Sequence, residues 1–200
     1  MEIFLVRHGE TGGNLAHRHQ AVNTPLTKKG EEQALQIADF LREHNPTHLL
    51  TSNMVRAVET ASIVGDHLGL VPETSELFIE LERPDYLYGH YHKSFRSIEY
   101  YMRWYLNFKA PGESYRELRE RFRLAQEFLS QYPEDSKLVV VSHAVFITLF
   151  TAHLCRDKSL TPLGAALAFR KILTIPNVHT VKISHQKNGS KESCCWSVDR

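Results

Sequence analysis

The chain opens on apolar, β-favouring positions at residues 3–6 and breaks abruptly at Arg7-His8-Gly9-Glu10-Thr11-Gly12-Gly13-Asn14. Residues 26–44 then change period. Ala34, Ile37, Ala38 and Leu41 recur at helical spacing, with Thr27 as a candidate cap. Gly30 lowers helix propensity there by roughly 1 kcal/mol without preventing a helix. Asn45-Pro46 ends the segment, because a residue before proline is pushed out of the α region. A short extended run follows at residues 48–51. Ser52 or Asn53 is placed to cap a second helix over residues 54–68, whose apolar side is Val58, Ala61, Ile63 and Val64 and whose stop is Gly69.

The rhythm is lost over residues 71–112, which hold Pro72, Pro84, Pro111, Gly89 and Gly112 among many aromatics. A helix is predicted at residues 98–108, and the whole stretch reads as an excursion too short for its own core. Regularity returns at Ser114-Tyr115-Arg116-Glu117, a capping-box pattern, followed by Leu118, Phe122, Ala125 and Leu129 at helical spacing. Residues 138–141 (Leu-Val-Val-Val) predict a strand covered on both faces, and residues 146–154 a helix. Residues 178–184 and 194–198 read as strands around an Asn188-Gly189 turn. The expected architecture is a three-layer α/β/α sandwich with a mostly parallel central sheet. One domain spans residues 1–200, with a helical and aromatic cover inserted at about 77–112.

Composition narrows the function classes. With 24 Lys and Arg against 23 Asp and Glu, the net charge of +1 gives no reason to expect nucleic acid as a partner. Three cysteines, two of them adjacent (Cys194-Cys195) and Cys155 alone, provide neither a disulfide framework nor a spaced metal-ligand set. Strand-like residues directly after Met1 leave no room for a signal peptide, and no apolar run approaches membrane-spanning length. A cytoplasmic setting, without membrane or cofactor, is the expectation. Most of the 12 histidines, including His17, His19, His90, His92 and His185, read as surface residues.

The polar residues that interrupt this pattern suggest chemistry. Arg7-His8, Arg56 and His143 each follow a predicted strand, and in α/β sheets ligands collect beyond the carboxyl ends of the strands. Arginine offers a charged donor fork for phosphate oxygens, and neutral imidazole a nucleophilic nitrogen. Arginines beside His8 would also disfavour its imidazolium. Taken singly, His8 reads equally as a loop histidine, Arg56 as a solvated helix residue and His143 as a donor to a strand-end carbonyl.

In order along the chain, Leu5-Val6-Arg7-His8-Gly9-Glu10-Thr11, Pro25-Leu26-Thr27-Lys28-Lys29-Gly30, Ser52-Asn53-Met54-Val55-Arg56-Ala57-Val58-Glu59-Thr60-Ala61 and Val141-Ser142-His143-Ala144 resemble the motifs of the histidine phosphatase, or phosphoglycerate mutase-like, superfamily. The resemblance implies phosphorylation of His8, with Arg7, Arg56 and His143 on the phosphoryl oxygens and Asn14 as a further contact. Backbone N–H groups at the helix start near Arg56 would reinforce anion binding. The acid/base carboxyl falls at Glu80, with Glu82 two residues on as the alternative. In an extended chain both share a side, so periodicity does not choose between them. The late histidine is usually followed by glycine; Ala144 stands there instead, which predicts a small local adjustment.

These implications point to a metal-independent phosphomonoesterase acting on a phosphorylated small molecule. A mutase would share the first step, but residues 83–108 lack the longer cover insertion that phosphoglycerate mutases of this superfamily carry. A non-catalytic phosphate-binding module is the third reading. In the cover, Tyr86, Tyr88, Tyr91, Tyr101, Trp104 and Tyr105 form either a ring-binding wall or, with Tyr100 and Phe108, a small satellite core. Lys93, Arg96 and Arg103 are candidates for a second anionic group.

Overall fold

The computed structural model describes residues 1–106, 111–154, 161, 164, 167, 168, 172, 175–186 and 195–199. Phe108, Cys155, Cys194 and the Asn188-Gly189 turn lie outside these residues. Six strands form one mixed sheet: β1 (Glu2–Arg7), β2 (His48–Thr51), β3 (Pro72–Thr74), β4 (Lys137–Ser142), β5 (Thr180–His185) and β6 (Trp196–Val198). Their order is β3-β2-β4-β1-β5-β6. Neighbours from β3 to β1 pair in parallel, whereas β5 is antiparallel to both β1 and β6.

Side chains alternate across each strand and feed two cores. Phe4, Val6, Leu49, Val139 and Val141 pack with Ala38 and Leu41 of α2 (Lys28–Arg42) and Ala57, Ala61 and Val64 of α3 (Val55–Leu68). Ile3, Leu5, Leu138 and Val140 pack on the other face with Leu118 and Phe122 of α5 (Tyr115–Leu129) and Phe146 and Phe150 of α6 (Ala144–His153). The sheet is therefore sandwiched between helical layers, as its central apolar strand required.

The punctuation residues mostly act as expected. Thr27 accepts from the Gly30 amide at 3.1 Å, Gly69 closes α3 at φ 69°, and Ser114 and Glu117 form the capping box of α5. Asn45, before Pro46, leaves the right-handed region at φ 51°. Several features differ from expectation. The cover helix α4 (Phe95–Tyr105) starts three residues early, because the Ser94 hydroxyl accepts from the Ser97 amide at 3.3 Å. The α3 cap position is Met54, with Ser52 accepting from its amide at 3.2 Å. Short β3 adds an edge strand where none was expected. His19 and His185 are also buried, at 4% and 6% exposure, not on the surface; His17 is exposed, while His90 and His92 are half-buried. None of the helices among the described residues is long and apolar enough to cross a membrane.

Candidate active site

Strand register builds the site. Arg7 pairs with Ser142 and Thr51 with Val141, so β1, β2 and β4 release His8, Ser52 and His143 at one edge of the sheet. The ladder continues one step further: the His8 amide donates to Ser142 O and the Ser52 amide to Val141 O, each at 3.0 Å. Residues 135 positions apart in sequence are thereby neighbours, with the His8 and His143 ring centroids 5.1 Å apart.

The hydrogen bonds of His8 fix its tautomer. Gly9 O lies 2.7 Å from His8 Nδ1 and can only accept, so Nδ1 carries the proton. Nε2 then keeps its lone pair and accepts from Arg56 Nε at 3.2 Å. Burial, with the charges of Arg56 and Arg7 added, pushes the His8 pKa well below the usual imidazole range. In His143, Nε2 lies 2.8 Å from Ser52 Oγ, which also accepts from the Met54 amide. Burial, then Arg56, holds His143 neutral as well.

Arg56 is almost fully buried. Its other nitrogens donate to Ala21 O and Met54 Sδ, both at 3.1 Å. Burial lowers its pKa to about 10, which leaves it charged at neutral pH. Burial likewise lowers Arg7, against the opposing charge of Glu80. Arg7 donates from Nη1 to Ile175 O. Its Nε, like His143 Nδ1, is buried and has no hydrogen-bond partner among the described residues. An unmet buried Arg7 N–H costs about 1–3 kcal/mol, which an anion reaching it would relieve. The helix start near Arg56 contributes less than expected, since the Met54 and Val55 amides are already bonded to Ser52 Oγ and Val22 O.

Other motif residues brace this arrangement. Thr60 Oγ1 accepts from the Gly9 amide at 3.1 Å, and Glu59 from the Leu26 amide at 2.7 Å. Gly9 and Gly30 permit close backbone contact between the first loop and α2. A Cβ at Gly9 would sit 2.4 Å from Gly30 O, and one at Gly30 would sit 2.2 Å from Glu10 O. Asn14 lines the cavity, and its Oδ1 accepts from the Thr11 amide at 3.2 Å as part of the cap of α1 (Gly12–Leu15).

Glu80 and Glu82 separate clearly. Glu80 is buried and lines the cavity; Glu82 is exposed and does not. Glu80 Oε1 accepts from the Leu81 and Phe146 amides at 3.0 and 3.2 Å, and Oε2 from the Val145 amide at 3.3 Å. The last two are N–H groups in the first turn of α6, a natural seat for a carboxylate. Arg121 fixes the segment from below, donating to Ile79 O at 2.8 Å while paired with both oxygens of Glu113 at 2.7 Å. Ala144 begins α6 in an ordinary helical conformation and lines the cavity, so no left-handed residue is needed there.

A cavity of about 1070 Å³ opens over Arg7, His8, Arg56 and Glu80. His143 is fully buried and lies outside its lining. Arg18, His19, Arg83, His92, Ile98 and Met102 line it and were not anticipated as site residues. Arg83 donates to the Tyr101 hydroxyl at 2.8 Å and approaches Glu80 Oε2 at 3.9 Å. Of the aromatic wall, Tyr91 and Tyr101 line the cavity. Tyr100 and Trp104 instead enter the core, as helical spacing allowed. Lys93 lines the cavity; Arg96 and Arg103 do not. Among the described residues, no group of three or more His, Cys, Asp or Glu is placed to hold a metal ion.

The sequence model of the histidine phosphatase superfamily (branch 1) matches residues 3–190. A probable phosphoglycerate mutase from Erwinia tasmaniensis is 30% identical over 197 residues, covering 94% of this chain and 86% of its own. A mycobacterial glucosyl-3-phosphoglycerate phosphatase, solved with VO3, is 25% identical with a TM-score of 0.77, over 100% of this chain and 97% of that one. A putative alpha-ribazole-5'-P phosphatase from Escherichia coli, 21% identical, shares the fold at a TM-score of 0.79, over 100% and 94% of the two chains.

Proposed function

The chain belongs to the histidine phosphatase superfamily, whose enzymes act on phosphomonoesters through a phosphohistidine, and we propose that this member is a hydrolase with His8 as its nucleophile. One observation carries the reading. His8 Nε2 is an unprotonated nitrogen bonded to the Arg56 guanidinium, in a cavity lined also by Arg7, whose Nε has no hydrogen-bond partner among the described residues.

In the proposed reaction Nε2 attacks phosphorus and the bond to the leaving oxygen breaks. Arg7, Arg56 and His143 hold the charge on the phosphoryl oxygens, with Asn14 at the edge. Glu80 gives its proton to the departing alkoxide. It then takes one from the water that attacks the phosphohistidine, so inorganic phosphate leaves and both groups return to their starting states. Ser52, Gly9 and Thr60 act indirectly, by holding the imidazoles and the first loop in place. The chain is read as one domain, with residues 77–112 covering the site, and the substrate as a phosphorylated small molecule.

A mutase would form the same phosphohistidine and return the phosphoryl group to a retained intermediate. Incubation with a phosphoglycerate separates the two outcomes by comparing phosphate release with positional exchange. Release faster than exchange is expected. Exchange outrunning release would move the protein to the mutases.

A further inference from the structure

We infer that the organic part of the substrate is bulky and apolar, seated against Ile98 and Met102 of the cover helix. This rests on the hydrolase reading above and extends it to the far end of the same cavity.

Helix α4 has two apolar sides. Ser97, Tyr100 and Trp104 turn into the protein at 0–3% exposure. Phe95, Ile98, Met102 and Leu106 recur at spacings of three and four and stay 80%, 54%, 57% and 55% exposed. A single stray apolar side chain on a surface needs no explanation, but a contiguous helical stripe does. Two members of this stripe, Ile98 and Met102, line the cavity that contains His8. Val145, Ile172, Ile175 and Pro176 line it too. Apolar side chains thus line the cavity both beside Arg7 and Glu80 and on α4.

The charged groups of the cavity are mostly committed elsewhere. Arg18 donates to Gly89 O at 2.5 Å and lies 4.1 Å from the Tyr91 ring centre. Arg83 is bonded to Tyr101 and sits beside Glu80. His19 donates to Ser97 Oγ at 2.9 Å, and burial together with Arg83 holds its pKa down at about 3. Burial and Arg83 lower His92 as well. Lys93 is exposed at the rim. A second anionic group would meet Arg18 and Arg83 already bonded to the protein, and exposed Lys93 at the rim. The volume, about 1070 Å³, also lies just above the usual range for drug-sized ligands, far more than a phosphorylated three-carbon acid fills.

The test is a series of methyl, butyl and hexyl phosphates, whose leaving alcohols differ little in acidity, run beside 3-phosphoglycerate. Full burial of a methylene corresponds to about a fourfold gain in kcat/KM, so a rise of two- to fourfold per methylene is expected. 3-Phosphoglycerate should fall below hexyl phosphate. Met102→Glu should reduce the hexyl-to-methyl ratio about tenfold or more; Ile98→Gln gives the same reading if that variant does not fold. A flat series with phosphate still released, or a preference for 3-phosphoglycerate, overturns the apolar seat and leaves the His8 chemistry standing. No phosphohistidine and no release with any member overturns both.

Discussion

Replacing Glu80 by glutamine keeps the side-chain shape and removes its capacity to exchange a proton. The carboxylate accepts three amide hydrogens, from Leu81, Val145 and Phe146. Glutamine retains one oxygen, so at least one of those amides faces an NH2 group. Losing a bond to a charged acceptor costs about 1.5–3 kcal/mol. For a chain of this size that lowers Tm by roughly 3–12 °C, so a melting curve must accompany the kinetics. A positioned general acid contributes roughly 10²–10⁴-fold. That loss should appear in kcat/KM for alkyl phosphates, since this constant reports the steps through phosphoenzyme formation. Aryl phosphates with stable phenolate leaving groups need less protonation and should lose much less. Glu82→Gln, on an exposed side chain, should change kcat/KM by no more than about twofold. An equal loss on both classes of ester, or a loss confined to Glu82→Gln, would refute Glu80 as the proton donor.

Arg56→Lys keeps a charge but cannot reach His8, Ala21 and Met54 together as the guanidinium does. It should cost roughly 10²–10³ in kcat/KM, and a loss under threefold would remove Arg56 from the transition state. His8 and His143 are buried with pKa values below those of the unfolded chain. The unfolded chain therefore binds more protons as pH falls below about 6.5, and stability should drop by up to about 1.4 kcal/mol per pH unit for each. Urea midpoints that do not move between pH 7 and pH 5 would contradict this. Gly30→Ala should gain about 1 kcal/mol of helix propensity, yet its Cβ meets Glu10 O at 2.2 Å. A net destabilisation of about 1–3 kcal/mol is expected, read by thermal melting, and a stabilised variant would show that the first loop yields freely.

Much of this arrangement was legible before the fold was known, for identifiable reasons. Residues 138–141 are apolar on both alternating sides, and β4 is indeed covered on both faces. Arg7, His8 and His143 stand where such strands end, and Arg56 follows one turn after β2. Parallel register does the rest. Less was legible where long-range packing decides. Edge strand β3 has exposed Glu73 and Thr74 and no apolar alternation, so only its pairing with β2 defines it. Glu80 and Glu82 share a side only in a regular strand, and the chain there follows a 3-10 turn at Glu76–Phe78. His19 carries no local mark of burial; it is enclosed by the cover, through Ser97 and His92. Ser52 had the right position but a larger task than expected, since it both meets the start of α3 and bonds His143 Nε2.

The central claim is that His8 Nε2 takes the phosphoryl group. Wild type and His8→Ala should be mixed with a phosphomonoester labelled in its phosphate, quenched within one turnover, and probed for protein-bound label. Wild type should carry an acid-labile, base-stable phosphohistidine mapped to His8, and His8→Ala should carry no label and release no phosphate. Label on His8→Ala, or equal turnover by the two proteins, would contradict the account.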